Sequence, residues 1–142
     1  DGKALFDSRV ITRFLDELAA SNLYPQESIY DILTLEALAD GIMESAVSIT
    51  YETKLRPENE QSPSWMEAQW SKVLHAVKAL ENGEFKSMEG NLNMGQIAVA
   101  CALGYLDFRH DARQWRNGHS NLASWNEKIM RLPALIKTIP TD

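Results

Sequence analysis

From Asn93 to Leu106 the chain carries no charged side chain, and Ile97 through Leu103 is an unbroken apolar run. A helix that is apolar on every side has to be surrounded by other elements. Small residues at 98, 100, 101, 102 and 104 would let neighbouring helices come close. The run is too short to span a bilayer, and Asp107-Phe108-Arg109-His110 follows it at once. Asn93 stands as N-cap, with Gln96 three residues on placed to reach back to the Asn93 backbone. The stretch therefore reads as the central helix of a helical domain, which makes the fold all-α.

The remaining segments supply partners for that helix. Asp7-Ser8 opens a helix with Val10, Ile11, Phe14, Leu15 and Leu18 at helical spacing. Lys3 to Phe6, just before it, reads as the second strand of a hairpin whose sheet the sequence does not contain. After the break at Ser21-Asn22-Leu23-Tyr24-Pro25, a helical pattern runs from about Gln26 to Leu55. Gly41 within it points to close contact or a bend. Ser62 and Pro63 begin an amphipathic helix with Met66, Trp70, Val73, Leu74, Val77 and Leu80 inward, and Asn82-Gly83 ends it. These two long helices, joined by a short polar loop, should pack antiparallel. Beyond Asp107 the chain reads as irregular with Trp115 as its anchor. Ser120 can then cap a last helix, and Ala134 to Asp142 reads as a tail.

The totals limit the function classes. With 142 residues the chain is long enough for one domain with a core. A net charge of −6 argues against nucleic acid or an anionic membrane as partner. One cysteine, Cys101, excludes an internal disulfide and suits a reducing, cytoplasmic compartment; its place in the apolar run predicts an inert buried thiol. No signal peptide is visible, and a start at Asp1 rather than Met suggests a chain that begins within something longer. His75, His110 and His119 have no zinc-like spacing and read as surface or capping residues, so no metal is expected. Tyr51, Trp65, Trp70 and Tyr105 would suit either a ligand cleft or, more commonly, a core.

Asp7-Ser8 is the sharpest local feature. Free N–H groups and the helix dipole at a helix start can hold a carboxylate, with the Ser8 hydroxyl as a further donor. Asp7 can accept from an ammonium group, so the pair suits an α-amino acid head group. A plain N-cap accounts for the same two residues.

Leu5-Phe6-Asp7-Ser8-Arg9-Val10-Ile11 with Phe14-Leu15-Asp16 resembles the end of the thioredoxin-like domain of bacterial glutathione S-transferases. Ala37 to Met43, Tyr51-Glu52 to Leu55-Arg56-Pro57 and Ala102 to Arg109 are similar to the same family, in the same order, over nearly the whole chain. The resemblance implies a remnant strand and helix of the thioredoxin-like domain at 1–20 and an all-helical C-terminal domain at 21–142. It implies that Ser8 binds the carboxylate and Asp7 the amino group of glutathione's γ-glutamyl end. It further implies a homodimer, an acceptor site for a hydrophobic electrophile beside the two long helices, and a role in detoxification. Asn93 and Gln96 stand where the family usually has Ser or Thr and, three later, Asp; they keep hydrogen-bonding capacity without the carboxylate. The thiol-activating residue and the cis-proline of the family have no counterpart, so no catalytic residue is assigned and the 142-residue chain is expected to be inactive alone. The alternatives are a non-enzymatic helical interaction module and a glutathione-binding carrier.

Overall fold

A computed structural model describes residues 2–141. Six α-helices account for most of it: α1 (Ser8–Ala19), α2 (Ile29–Leu55), α3 (Pro63–Glu81), α4 (Met94–His110), α5 (Ser120–Ile129) and α6 (Pro133–Lys137). Single 3-10 turns lie at Gln26–Ser28, Glu58–Glu60, Lys86–Met88 and Asp111–Arg113. The described residues contain no strand. Lys3 to Phe6 run exposed and unpaired, because a strand needs a neighbour to take its N–H and C=O groups. No helix among the described residues is long and apolar enough to cross a membrane.

α2, about 40 Å long at 1.5 Å per residue, is the spine. Its most extensive contact is with α4 and its next with α3. Leu35, Ala39, Ile42, Ala46 and Ile49 of α2 meet Val99, Ala102, Leu103 and Leu106 of α4 and Trp70, Val73, Val77 and Leu80 of α3 in one buried cluster. The glycine that permits the close α2–α4 approach is Gly95. A Cβ there would lie 3.0 Å from Leu35 Cβ and 3.1 Å from the Ile32 carbonyl oxygen. Gly41, by contrast, faces open space, so close contact does not explain it. Leu74 points outward, which narrows the apolar face expected for α3.

Several ends differ from what periodicity predicts. Asn93 does cap α4, its Oδ1 accepting from the Gln96 N–H at 3.0 Å. The Gln96 side chain does not return to Asn93. It donates to the Ser87 carbonyl at 3.1 Å, which also accepts from Asn93 Nδ2 at 2.7 Å. The two amides thus fasten the turn at Lys86–Met88 to the helix start, using N–H donors that a carboxylate lacks. α4 continues to His110, past Asp107, which accepts from Trp115 Nε1 and pairs with Arg116. Ser120 makes no side-chain cap for α5. Glu81 of α3 does the capping from a distance, accepting from the N–H groups of Asn121 (3.1 Å) and Leu122 (2.7 Å). Pro133 starts a further short helix, α6, which buries Leu135, so the segment from Ala134 is not wholly a tail. Asp142 lies outside the described residues.

α1 is the exception to this packing. None of its residues is buried, and Val10, Ile11, Phe14, Leu15 and Leu18 all stand exposed. Its polar side meets α2 instead.

Candidate functional site at the start of α1

α1 begins where the sequence places it. Asp7 is the N-cap, and its Oδ1 accepts from the Arg9 N–H at 3.1 Å. The Asp7 carbonyl takes the N–H groups of Val10 and Ile11, both at 3.1 Å. Ser8 is the first helical residue and is exposed. Among the described residues, neither the Ser8 N–H nor its hydroxyl has an acceptor, and Asp7 Oδ2 has no donor. The helix start therefore presents two open donors beside one open carboxylate oxygen, with the positive end of the helix dipole behind them.

Three side chains that the motif reading did not single out fix this corner against α2. Arg9 Nε meets Asp40 Oδ2 at 2.6 Å, and the pairing raises the Arg9 pKa above its ordinary value. Tyr24 donates its hydroxyl to Glu36 Oε1 at 2.8 Å and lies 2.8 Å from Thr12 Oγ1. Burial chiefly pushes the Tyr24 phenol up to about 12, and it stays a donor at neutral pH. Glu36 and Asp40 are one helical turn apart on α2 and carry the only carboxylates between Ile32 and Met43. Acidic residues at that spacing inside an apolar helix are the signal by which the docking edge can be found from sequence. The turn after α1 is shaped by Asp16, which accepts from Ser21 Oγ (2.7 Å) and the Leu23 N–H (2.8 Å); these bonds lower its pKa.

One further turn along α2 from Asp40, Met43 opens an apolar groove of about 250 Å³. Cys101, Gly104 and Tyr105 of α4, Leu135 of α6 and Ile139 beyond it are among the residues that line it. Here α4 is not enclosed as its uniformly apolar sequence implies. The Cys101 thiol is exposed rather than buried. Its apolar surroundings thin its hydration and raise its pKa, which keeps it a thiol. Tyr105 is tethered by its hydroxyl, which donates to Thr50 Oγ1 at 3.1 Å.

Of the four aromatic residues considered for a cleft, only Tyr105 lines this groove. Trp70 is core, while Tyr51 and Trp65 meet in a separate shallow pocket with Leu55 and Arg56. His110, read from sequence as a surface or capping residue, is buried. Its Nε2 lies 2.9 Å from the Ala46 carbonyl and 3.2 Å from Thr50 Oγ1, and burial lowers its pKa. His119 Nδ1 lies 2.7 Å from the Trp115 carbonyl, and His75 Nδ1 lies 2.7 Å from that of Ser71. Among the described residues no cluster of three or more His, Cys, Asp or Glu side chains is placed to hold a metal ion.

Comparison with known proteins bears on the family and the fold. Residues 63–127 match the glutathione S-transferase C-terminal domain. The uncharacterized GST-like protein YibF of Escherichia coli K12 is 29% identical over 147 residues, covering 99% of this chain and 71% of YibF. Two structures of a glutathione transferase family member from Pseudomonas fluorescens Pf-5 superpose closely. The one with bound glutathione is 39% identical with a TM-score of 0.94, covering 99% of this chain and 70% of that one. The one with bound S-(propanoic acid)-glutathione is 37% identical with a TM-score of 0.92, covering 99% and 74%. A glutathione S-transferase from Methylobacillus flagellatus KT with glutathione bound is 32% identical with a TM-score of 0.91. On sequence and fold together, this chain belongs to the glutathione transferase family.

Proposed function

We propose that this chain holds the γ-glutamyl end of glutathione at Asp7 and Ser8 and offers the groove beside Met43 and Tyr105 to a hydrophobic electrophile. The observation that carries this reading is the pair of open Ser8 donors beside the open Asp7 Oδ2, on a helix start locked to α2 by Arg9 and Asp40. The γ-glutamyl end is a zwitterion. Its carboxylate suits the Ser8 N–H and hydroxyl, and its ammonium suits Asp7, so neither charge is left uncompensated. Met43 lies one turn from Asp40 on α2, which supports a groove on the same side of the domain as the anchored tripeptide. A transferase needs this adjacency, because holding thiolate and electrophile together turns a bimolecular attack into a local one. In the conjugation, the glutathione sulfur forms the new bond to the electrophilic carbon, a leaving group departs with its electron pair, and the thiol proton goes to solvent or a base. We assign no described residue to activating the thiol.

In this reading residues 1–20 belong with a thioredoxin-like domain and 21–142 form the helical domain. The exposed Tyr51, Leu55 and Trp65 at the join of α2 and α3 support a homodimer face there.

The test is calorimetric titration of glutathione into the protein expressed from its native locus. Ser8→Ala should weaken binding about tenfold or more, since it removes a hydrogen bond to a charged group. Unchanged affinity in both Ser8→Ala and Asp7→Asn would refute the anchor. Binding of glutathione without turnover of any electrophile would favour the carrier.

A further inference from the structure

Two helix-interior glycines, Gly41 and Gly104, have no packing reason to be glycine. A Cβ at either would meet no atom within 4 Å, whereas one at Gly95 would collide with Leu35. Glycine inside a helix is less favourable than alanine. At Gly104 the missing side chain has a visible consequence, for this residue lines the groove between α2, α4 and the segment beyond α6. The neighbouring lining residues on α4, Ala100 and Cys101, are also small, while Met43, Tyr105, Leu135 and Ile139 are long. A side chain at position 104 would therefore take up space in a groove that is small on the α4 side and bulky on the others. The groove's volume of about 250 Å³ is just below the roughly 300–1,000 Å³ of common small-molecule sites. Among the described residues that line it, none carries a charge at neutral pH. An anionic or cationic acceptor would lose hydration there without a partner to replace it.

We infer that Gly104 sets the acceptor specificity of the groove, keeping it open for an uncharged molecule of one or two rings and closing it to charged or larger ones. This rests on the groove being the acceptor site, so the test reads binding separately from catalysis. The probe is 6-propionyl-2-(dimethylamino)naphthalene, an uncharged two-ring fluorophore whose emission shifts to the blue in apolar surroundings, titrated into the whole protein without glutathione. Gly104→Ala should raise the thermal midpoint by about 3 °C, because alanine favours the helix and meets no obstacle. It should at the same time weaken probe binding about fourfold, roughly the effect of one methylene of lost burial. Gly104→Leu, which fills the groove, should weaken it by at least about tenfold. Gly41→Ala should raise the midpoint equally and leave the probe affinity alone.

A fall in stability for Gly104→Ala would show a packing role and overturn the inference, as would unchanged probe binding in Gly104→Leu. The two readings fail separately. Probe binding that responds to residue 104 in a protein with no conjugating activity would remove the transferase function and leave the groove. Conjugation of 1-chloro-2,4-dinitrobenzene at the same rate in all variants would remove the groove's role and leave the function.

Discussion

α1 and α4 are both helices with strong apolar content, and they have opposite fates. α4 buries Val99, Ala102, Leu103 and Leu106 against α2, while α1 leaves Phe14, Leu15 and Leu18 in solvent. The difference lies in what each meets. α4 meets α2 through an apolar face with a glycine at the closest point. α1 meets the same helix through Arg9, Thr12 and the Tyr24–Glu36 bond, which are polar and directional. Apolar burial gives α4 its stability, and hydrogen bonds give α1 its orientation. A site needs orientation, and the proposed anchor residues are the N-cap and first residue of α1.

The sharpest way to break this comparison is to truncate one leucine in each helix. Leu103→Ala removes a fully buried side chain and should destabilise the protein by about 3 kcal/mol in urea unfolding. Leu15→Ala in this 142-residue chain should change it by less than about 0.5 kcal/mol, since the side chain is already in water. Equal effects would mean that α1 is packed after all. Next in size is Gly95→Ala. Leu35 Cβ and the Ile32 carbonyl belong to the α2 backbone region and cannot swing aside. The helices must separate, at about 2 kcal/mol, despite the better helix propensity of alanine. No loss there would show that the α2–α4 spacing is slack.

Tyr24→Phe sharpens the comparison from the polar side. It removes the donor to a carboxylate that is only 4% exposed, and the remaining Thr12 contact is long at 3.5 Å. A cost of about 1–2 kcal/mol follows from leaving that acceptor poorly satisfied. The change should appear as faster amide exchange in α1 before any in α4.

The smallest effect is a pH dependence inside the core. Burial lowers the His110 pKa, so the unfolded chain binds this proton more readily than the folded one. Stability from this residue is complete above the ordinary histidine value of about 6.5 and falls as pH drops from there toward the depressed folded value. Urea midpoints at pH 7 and pH 5.5 should therefore differ in the wild type more than in His110→Asn. An equal difference would mean that His110 takes up its proton without penalty in the fold.

The sequence discloses these regions unevenly. The five longer helices, the turn at Ser21 to Pro25 and the central place of Asn93–Leu106 follow from period and caps, because those signals are local; the short α6 does not. Asp7 as an N-cap is local too. What escapes is whatever depends on a distant partner. Glu81 caps α5 from α3, Gln96 turns to Ser87 rather than Asn93, and His110 is buried by α2. Cys101 shows the limit most clearly. An uncharged run says that a helix is suited to burial on all sides, but which side the other helices leave open depends on how α2 and α6 are placed. Arg9 and Asp40 belong to the same class: each is an ordinary surface charge until the fold sets them 2.6 Å apart.

The central claim is that glutathione is held at the start of α1. Amide hydrogen exchange of the protein expressed from its native locus, with and without saturating glutathione, tests it most directly. The account predicts slowed exchange at Ser8 and the amides next to it, and little change at the Asn93–Ile97 cap, which is already bonded internally. Protection that spares residues 7–10 and appears elsewhere would contradict it.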